Sequence, residues 1–156
     1  MPEAVEALPN ELRAHAADDI DFAALKGQSV AVLGAGASAF DNAATALEAG
    51  AGRVDLFCRR EQLQTVQPLR YVTFHGFLRH LSDLDDVWRW RLMRHVLNLR
   101  EGFPQDAYDR CSAFDHFQIR TGEPWLDVGL SNGRAKIRTP KGEYTADFLK
   151  IGRAHV

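Results

Sequence analysis

The stretch Val30-Ala31-Val32-Leu33-Gly34-Ala35-Gly36-Ala37-Ser38-Ala39-Phe40-Asp41 constrains this chain more than any other. Apolar residues follow one another without alternation, as in a parallel strand covered on both faces. Gly34-x-Gly36-x-x-Ala39 then turns the chain into a helix. Gly34 permits a tight turn, and Gly36 lets the backbone approach a pyrophosphate. The charge of that group is favoured by unpaired amides at the helix start. Ala39 must be small for the helix to lie close to the strand. Phe40, Ala43, Ala44 and Leu47 continue one helical face, and Gly50 with Gly52 ends it. Glycine turns after strands are common, and an ordinary βα turn without a ligand has the same local pattern. The strand before, the helix after and a second strand, Val54 to Cys58, make the pattern that of a dinucleotide-binding βαβ unit.

The end of the second strand bears on the choice of dinucleotide. A site for NAD places Asp or Glu there to accept hydrogen bonds from the ribose hydroxyls. Here Cys58 takes that position, Asp55 falls too early, inside the strand, and Arg59-Arg60 follow. Two arginines can hold a 2′-phosphate through charge-assisted hydrogen bonds, each worth about 1.5–3 kcal/mol. The pair therefore points to NADP, with solvated surface arginines as the alternative.

Composition narrows the remaining classes. A net charge of −2 over 156 residues argues against a broadly basic nucleic-acid surface. No apolar run approaches the ~20 residues that cross a bilayer, and Met1 to Asp19 lacks the pattern of a signal peptide. Cys58 and Cys111 stand outside any Cys-x-x-Cys pair, which fits a reducing cytoplasm and provides no zinc framework. His75, His80, His95 and His116 lack metal-ligand spacing and have no nucleophile motif nearby. No catalytic acid, base or nucleophile and no metal site is assigned.

Outside the βαβ unit, residues 1–26 read as a connecting segment, weakly patterned and acidic, rather than a core element. Glu61 to Arg100 is mainly helical by pattern. A cap at Ser82 is expected, with Trp88, Leu92 and Val96 on one helix face. Tyr71, Phe74, Phe77, Trp88 and Trp90 could line a pocket, but core or interdomain contact is the favoured reading. The nearby arginines, Arg100 among them, read as a solvated face. Gly102-Phe103-Pro104 ends that region, and Pro104 to Ala113 can form a shorter helix. Phe117 to Arg120 is a third strand. Ser131-Asn132-Gly133-Arg134 marks a hairpin. Ala135 to Thr139 and Tyr144 to Leu149 complete a small meander. The fold class is α/β: a Rossmann-like parallel sheet with helices and a small antiparallel β-meander.

Lys26-Gly27-x-x-Val30 followed by Val32 to Asp41 resembles the NADP-binding domain of two-dinucleotide-domain flavoproteins. The likeness is greatest to flavin-containing monooxygenase-like FAD/NAD(P) oxidoreductases. Asp41 matches an acidic residue on the family's first helical turns, and His15 a histidine in the segment entering the domain. Ala146-Asp147-Phe148-Leu149 is similar to the strand leading back to the FAD domain. The resemblance implies that Gly34, Gly36, Ala37, Ser38 and Ala39 hold the pyrophosphate and ribose, and Arg59 and Arg60 the 2′-phosphate. Asp41 would shape the helix start or the flavin-facing side. It further implies that 1–26 is a linker from a missing FAD domain and 27–149 the NAD(P)-binding domain. NADPH bound here would reduce FAD elsewhere in an oxidoreductase of monooxygenase type, and the fragment alone would be inactive.

The C-terminal residues have a separate reading. Ile151-Gly152-Arg153-Ala154-His155-Val156 is what ATC-GGA-AGA-GCA-CAC-GTC, the start of a widely used sequencing adapter, encodes, so 150–156 are expected to be an adapter artefact. A stand-alone NADP-binding or sensing module, without catalysis, needs only the residues present and is the principal rival. A disulfide reductase would need a cysteine pair. A short-chain dehydrogenase would need Tyr-x-x-x-Lys, which Tyr71, Tyr108 and Tyr144 do not provide.

Overall fold

The computed structural model describes residues 3–6, 8–65, 67, 70, 72–98 and 102–152. Tyr71, Arg100 and residues 153–156 of the expected adapter tail lie outside the described residues. The chain divides into two units, one of residues 1–63 with 104–156 and one of 64–103.

The larger unit holds a five-stranded parallel sheet and a three-stranded antiparallel one. Its elements in chain order are α1 (Glu3–Glu6), β1 (Arg13–His15), β2 (Ser29–Leu33), α2 (Ala37–Glu48) and β3 (Arg53–Phe57). In the smaller unit are α3 (His75–His80) and α4 (Asp86–Asn98). The larger unit resumes with α5 (Gln105–Ser112), β4 (Phe117–Arg120), β5 (Asp127–Ser131), β6 (Arg134–Thr139), β7 (Gly142–Ala146) and β8 (Phe148–Ile151). The parallel order is β1-β8-β2-β3-β4. The chain leaves β2 in one direction, through α2 to β3 and β4, and returns to the other side of β2 as β8. That reversal places the ligand crevice of an open α/β sheet outside the carboxyl ends of β2 and β8.

Burial explains the apolar run in β2: Val30, Ala31 and Val32 are all buried. One face of the sheet, with Ala31, Phe57, Leu149 and Ile151, shares a core with Val128, Ala135, Ile137 and Ala146 of the meander and with Val5 and Leu8. Alternation sends Val30, Val32, Val54 and Leu56 to the other face. There α2 packs on β2, β3 and β8, burying Ala39, Phe40, Ala43, Ala44, Ala46 and Leu47. Its many alanines allow the helix to lie close. The expected hairpin forms at Asn132, whose φ of 51° is in the left-handed region.

Three expectations differ in detail. The segment before residue 27 supplies more than a connection, because Arg13–His15 pairs in parallel with Leu149–Ile151 and Val5 and Leu8 enter the core. A three-residue strand is too short to show a period. The strand expected from Tyr144 to Leu149 is two strands, β7 in the meander and β8 in the parallel sheet. The break falls at Asp147, whose carboxylate accepts hydrogen bonds from Ser29 N (2.8 Å), Ser29 Oγ (2.7 Å) and Arg134 Nε (2.6 Å). Finally, α4 is capped by Asp85, whose Oδ1 accepts from Trp88 N at 2.8 Å, rather than by Ser82.

In the smaller unit, Val96 and Phe103 are buried hydrophobic side chains, whereas Phe74, Trp88 and Trp90 are exposed. The core reading of the aromatic stripe is corrected accordingly. Helical spacing records which residues share a face but not whether anything covers it. Arg91 lies over the Trp88 ring at 5.4 Å, and Arg89 pairs with Asp86. No helix of the described residues is long and apolar enough to cross a membrane.

Candidate functional site

Parallel register brings one residue from each strand to the carboxyl edge of the sheet: His15, Ile151, Leu33, Phe57 and Arg120. The chain continues from β2 into Gly34, whose N–H donates to Phe57 O at 2.8 Å. Gly34 has φ of 131°, and a Cβ there would come within 3.3 Å of Ala39 Cβ. The small residues at both positions thus serve one close approach of helix to strand.

Gly36 is different. It is the N-cap of α2 in extended conformation, and the described residues give it no side-chain cap. Its carbonyl accepts from Ala39 N (3.0 Å) and Phe40 N (3.2 Å), closing the first turn. A Cβ built on Gly36 would meet nothing within 4 Å. Packing within the chain therefore leaves room at this glycine, beside exposed Ala37 and Ser38. Such a cradle has the shape and the positive helix end to which a pyrophosphate is complementary.

Beyond β3 the ladder with the β4 side continues. Cys58 N donates to Arg120 O (3.0 Å), Glu123 N to Cys58 O (2.8 Å) and Gly122 N to Arg60 O (2.6 Å). These bonds fix the backbone that carries Arg59 and Arg60. Cys58 is buried, and desolvation pushes its thiol pKa up, so it offers neither a carboxylate nor a ready thiolate. Asp55 is engaged elsewhere, accepting from Arg53 Nε at 2.6 Å and from Arg120 Nε at 2.7 Å. The Arg120 guanidinium lies 4.4 Å from the Tyr144 ring centroid, which ties the meander to this edge.

The structure thus gathers Gly34, Gly36, Ala37, Ser38 and Ala39 in one turn. Arg59 and Arg60 follow the adjacent strand, β3. Asp41 stands apart from the helix start: its Oδ1 lies 3.7 Å from Arg110 of α5, and Arg110 also pairs with Glu48 at 2.7 Å. His15 ends β1, where its backbone N–H donates to Asp18 Oδ2 at 2.6 Å and its Nδ1 accepts from Ala17 N at 3.2 Å. Residues Thr121 to Glu123, which back the arginines, carry no sequence motif. Their only signal is Gly122, with φ of 66°. Among the described residues, no group of His, Cys, Asp and Glu could hold a metal ion. A surface hollow lined by Tyr108, Phe114 and Phe117 lies at the amino end of β4, away from the crevice that such sheets use.

No protein-family model matches the chain. It is 38% identical over 152 residues to the FAD-dependent urate hydroxylase of Xanthomonas campestris pv. campestris, covering 97% of this chain and 32% of that protein. The chain thus spans about a third of the length of this curated relative. Two solved structures share its fold along 100% of its length. L-lysine 6-monooxygenase from Pseudomonas syringae matches with a TM-score of 0.66 at 15% identity, and 43% of that chain is covered. Ornithine hydroxylase from Pseudomonas aeruginosa matches with a TM-score of 0.63 at 16% identity, again with 43% covered. Thioredoxin reductase from Streptococcus pyogenes matches 86% of this chain and 33% of its own, with a TM-score of 0.53 at 15% identity. The resemblance to a segment of a larger FAD/NAD(P) flavoprotein, drawn from the glycine motif, agrees with these likenesses.

Proposed function

We propose that this chain is the NADPH-binding segment of a flavin-dependent oxidoreductase of monooxygenase type, serving an FAD domain that belongs to the remainder of such a protein. The observation that carries the reading is the cradle at Gly36: an uncapped helix start with open space in front of it. Its neighbour is a strand end that carries Arg59-Arg60 and no carboxylate at Cys58. When bound, NADPH supplies a hydride for reduction of FAD. The chain's own residues bind and orient. Gly34 holds the turn, and the amides of Ala37 and Ser38 face the pyrophosphate. Ala39 keeps the helix close to β2, and the two guanidinium groups meet the 2′-phosphate. Proton transfer and substrate chemistry are assigned to no residue here, in keeping with a division in which cofactors carry the redox step and the protein positions them.

Calorimetric titration of the full chain with NADPH and NADH tests this. NADPH is expected to bind about tenfold or more tightly than NADH, a difference of ~1.4 kcal/mol or more. The Arg59→Ala/Arg60→Ala variant should lose that preference. Equal affinities of the original chain for the two nucleotides would overturn the 2′-phosphate assignment.

A further inference from the structure

The carboxyl edge that carries Arg59 and Arg60 also carries a carboxylate. Glu61 follows Arg60 directly, and its side chain sits against Gly122, where a Cβ would collide with it. A carboxylate beyond the second strand is the group that would accept hydrogen bonds from an unphosphorylated ribose and repel a 2′-phosphate. Here it is held from the meander. Lys141, in the turn between β6 and β7, places Nζ 3.5 Å from Glu61 Oε2 and donates to Thr121 O at 2.7 Å.

The turn that presents Lys141 is itself anchored inside the protein. Lys141 N donates to Thr139 Oγ1 at 3.2 Å. That hydroxyl donates to Glu123 Oε2 at 2.8 Å, and Thr139 and Glu123 are both buried. Glu123 N in turn holds Cys58 O, and Gly122 N holds Arg60 O. One continuous set of hydrogen bonds therefore fixes the lysine and the backbone that carries the arginine pair, and the lysine meets the Glu61 carboxylate as an ion pair.

We infer that Lys141 is a specificity-determining residue of the dinucleotide site: by pairing with Glu61 it offsets a carboxylate, directly after the arginine pair, that opposes a 2′-phosphate. The inference rests on the NADPH reading above and deepens it. Without Lys141, the formal charge of the Arg59-Arg60-Glu61-Lys141 cluster falls by one, and Glu61 becomes available to ribose hydroxyls. The pair is solvent-accessible, with side chains 48% and 77% exposed, so its effect is modest and weakens with added salt.

The test uses the full chain and two probes that differ only in the phosphate, 2′,5′-ADP and 5′-AMP, titrated calorimetrically at low ionic strength. Lys141→Met is expected to reduce the preference for 2′,5′-ADP by about two- to fivefold, the range of an exposed ion pair. Glu61→Gln should raise that preference, and the Lys141→Met/Glu61→Gln protein should regain most of what Lys141→Met lost. An unchanged ratio in Lys141→Met, or a double variant no better than Lys141→Met, overturns the role given to Lys141. Should Lys141→Met fail to fold, Lys141→Gln, which removes the charge and keeps a polar side chain, takes its place, and an unchanged ratio in that variant overturns the inference. An original chain without preference between the probes overturns the NADPH reading itself, an outcome distinct from the others.

Discussion

Lys150 is 1% exposed in the interior of the parallel sheet, and replacing it with methionine should stabilise the protein. Its Cα lies in register between Ala14 of β1 and Val32 of β2, with Leu56 of β3 next in the row. Its Nζ donates to Asp18 O at 2.9 Å and lies 5.5 Å from the Phe22 ring. Burial lowers its pKa, and the charges of Asp18 and Asp19 only partly oppose that. Methionine keeps the unbranched shape and removes the ammonium. Asp18 is exposed, so its freed carbonyl can hydrate. Apolar replacement of buried charge commonly gains about 1–4 kcal/mol, and the lost cation–π contact returns about 0.5–1 kcal/mol of that. A net gain of up to about 3 kcal/mol is expected, some 2–4 °C in melting temperature per kcal/mol at this chain length. Because the folded-state pKa lies below the unfolded value of 10.5, the unfolded chain binds more protons between the two values. Stability of the original chain therefore rises with pH through that interval, and is lost as pH falls through the folded value. The methionine variant lacks this slope, so its advantage should shrink as pH approaches 10.5. Urea unfolding at pH 7 and near pH 10 reads both quantities. A variant no more stable than the original at pH 7, or an advantage independent of pH, would refute the reasoning.

Other substitutions separate architecture from binding. Gly34→Ala forces a side chain into a left-handed backbone beside Ala39, and should cost about 1–3 kcal/mol in thermal or urea unfolding. The Cβ of Gly36→Ser meets no protein atom within 4 Å, and its hydroxyl supplies a helix cap. Stability should stay within a few tenths of a kcal/mol or rise, while NADPH affinity drops by about tenfold, ~1.4 kcal/mol. Asp147→Asn removes the charge that Ser29 and Arg134 hold, with an expected cost of about 1–2 kcal/mol. Those hydrogen bonds hold the Asp147 carboxyl below its ordinary value of 3.8 despite burial. Its contribution is present above that value and fades as pH falls through the lower, folded one. The variant's acid-unfolding curve should accordingly be flatter.

What the sequence made legible follows from how locally each feature is determined. The β2 turn and α2 were readable because Gly34, Gly36 and Ala39 answer to constraints within a few residues of one another, and the Asn132 hairpin for the same reason. β1 was not, since Arg13–His15 is a strand only because β8 offers it an edge. Nor was the split at Asp147 readable, because it depends on Ser29, distant in sequence but hydrogen-bonded in space. The exposed Trp88 and Trp90 of α4 show the converse failure, in which a helical pattern named aromatic residues without specifying what covers them. The candidate site divides along the same line. Its glycines and arginines lie in two short stretches that a linear reading can find. The elements that aim those arginines come from beyond β4 and from the β6–β7 turn. Gly122, Glu123 and Lys141 meet Cys58, Arg60 and Glu61 only after the meander has folded back onto the parallel sheet. On the proposed NADPH reading, specificity for a phosphate on a ribose is a tertiary property: two arginines nominate it, and the neighbouring meander determines how much opposing charge they must overcome.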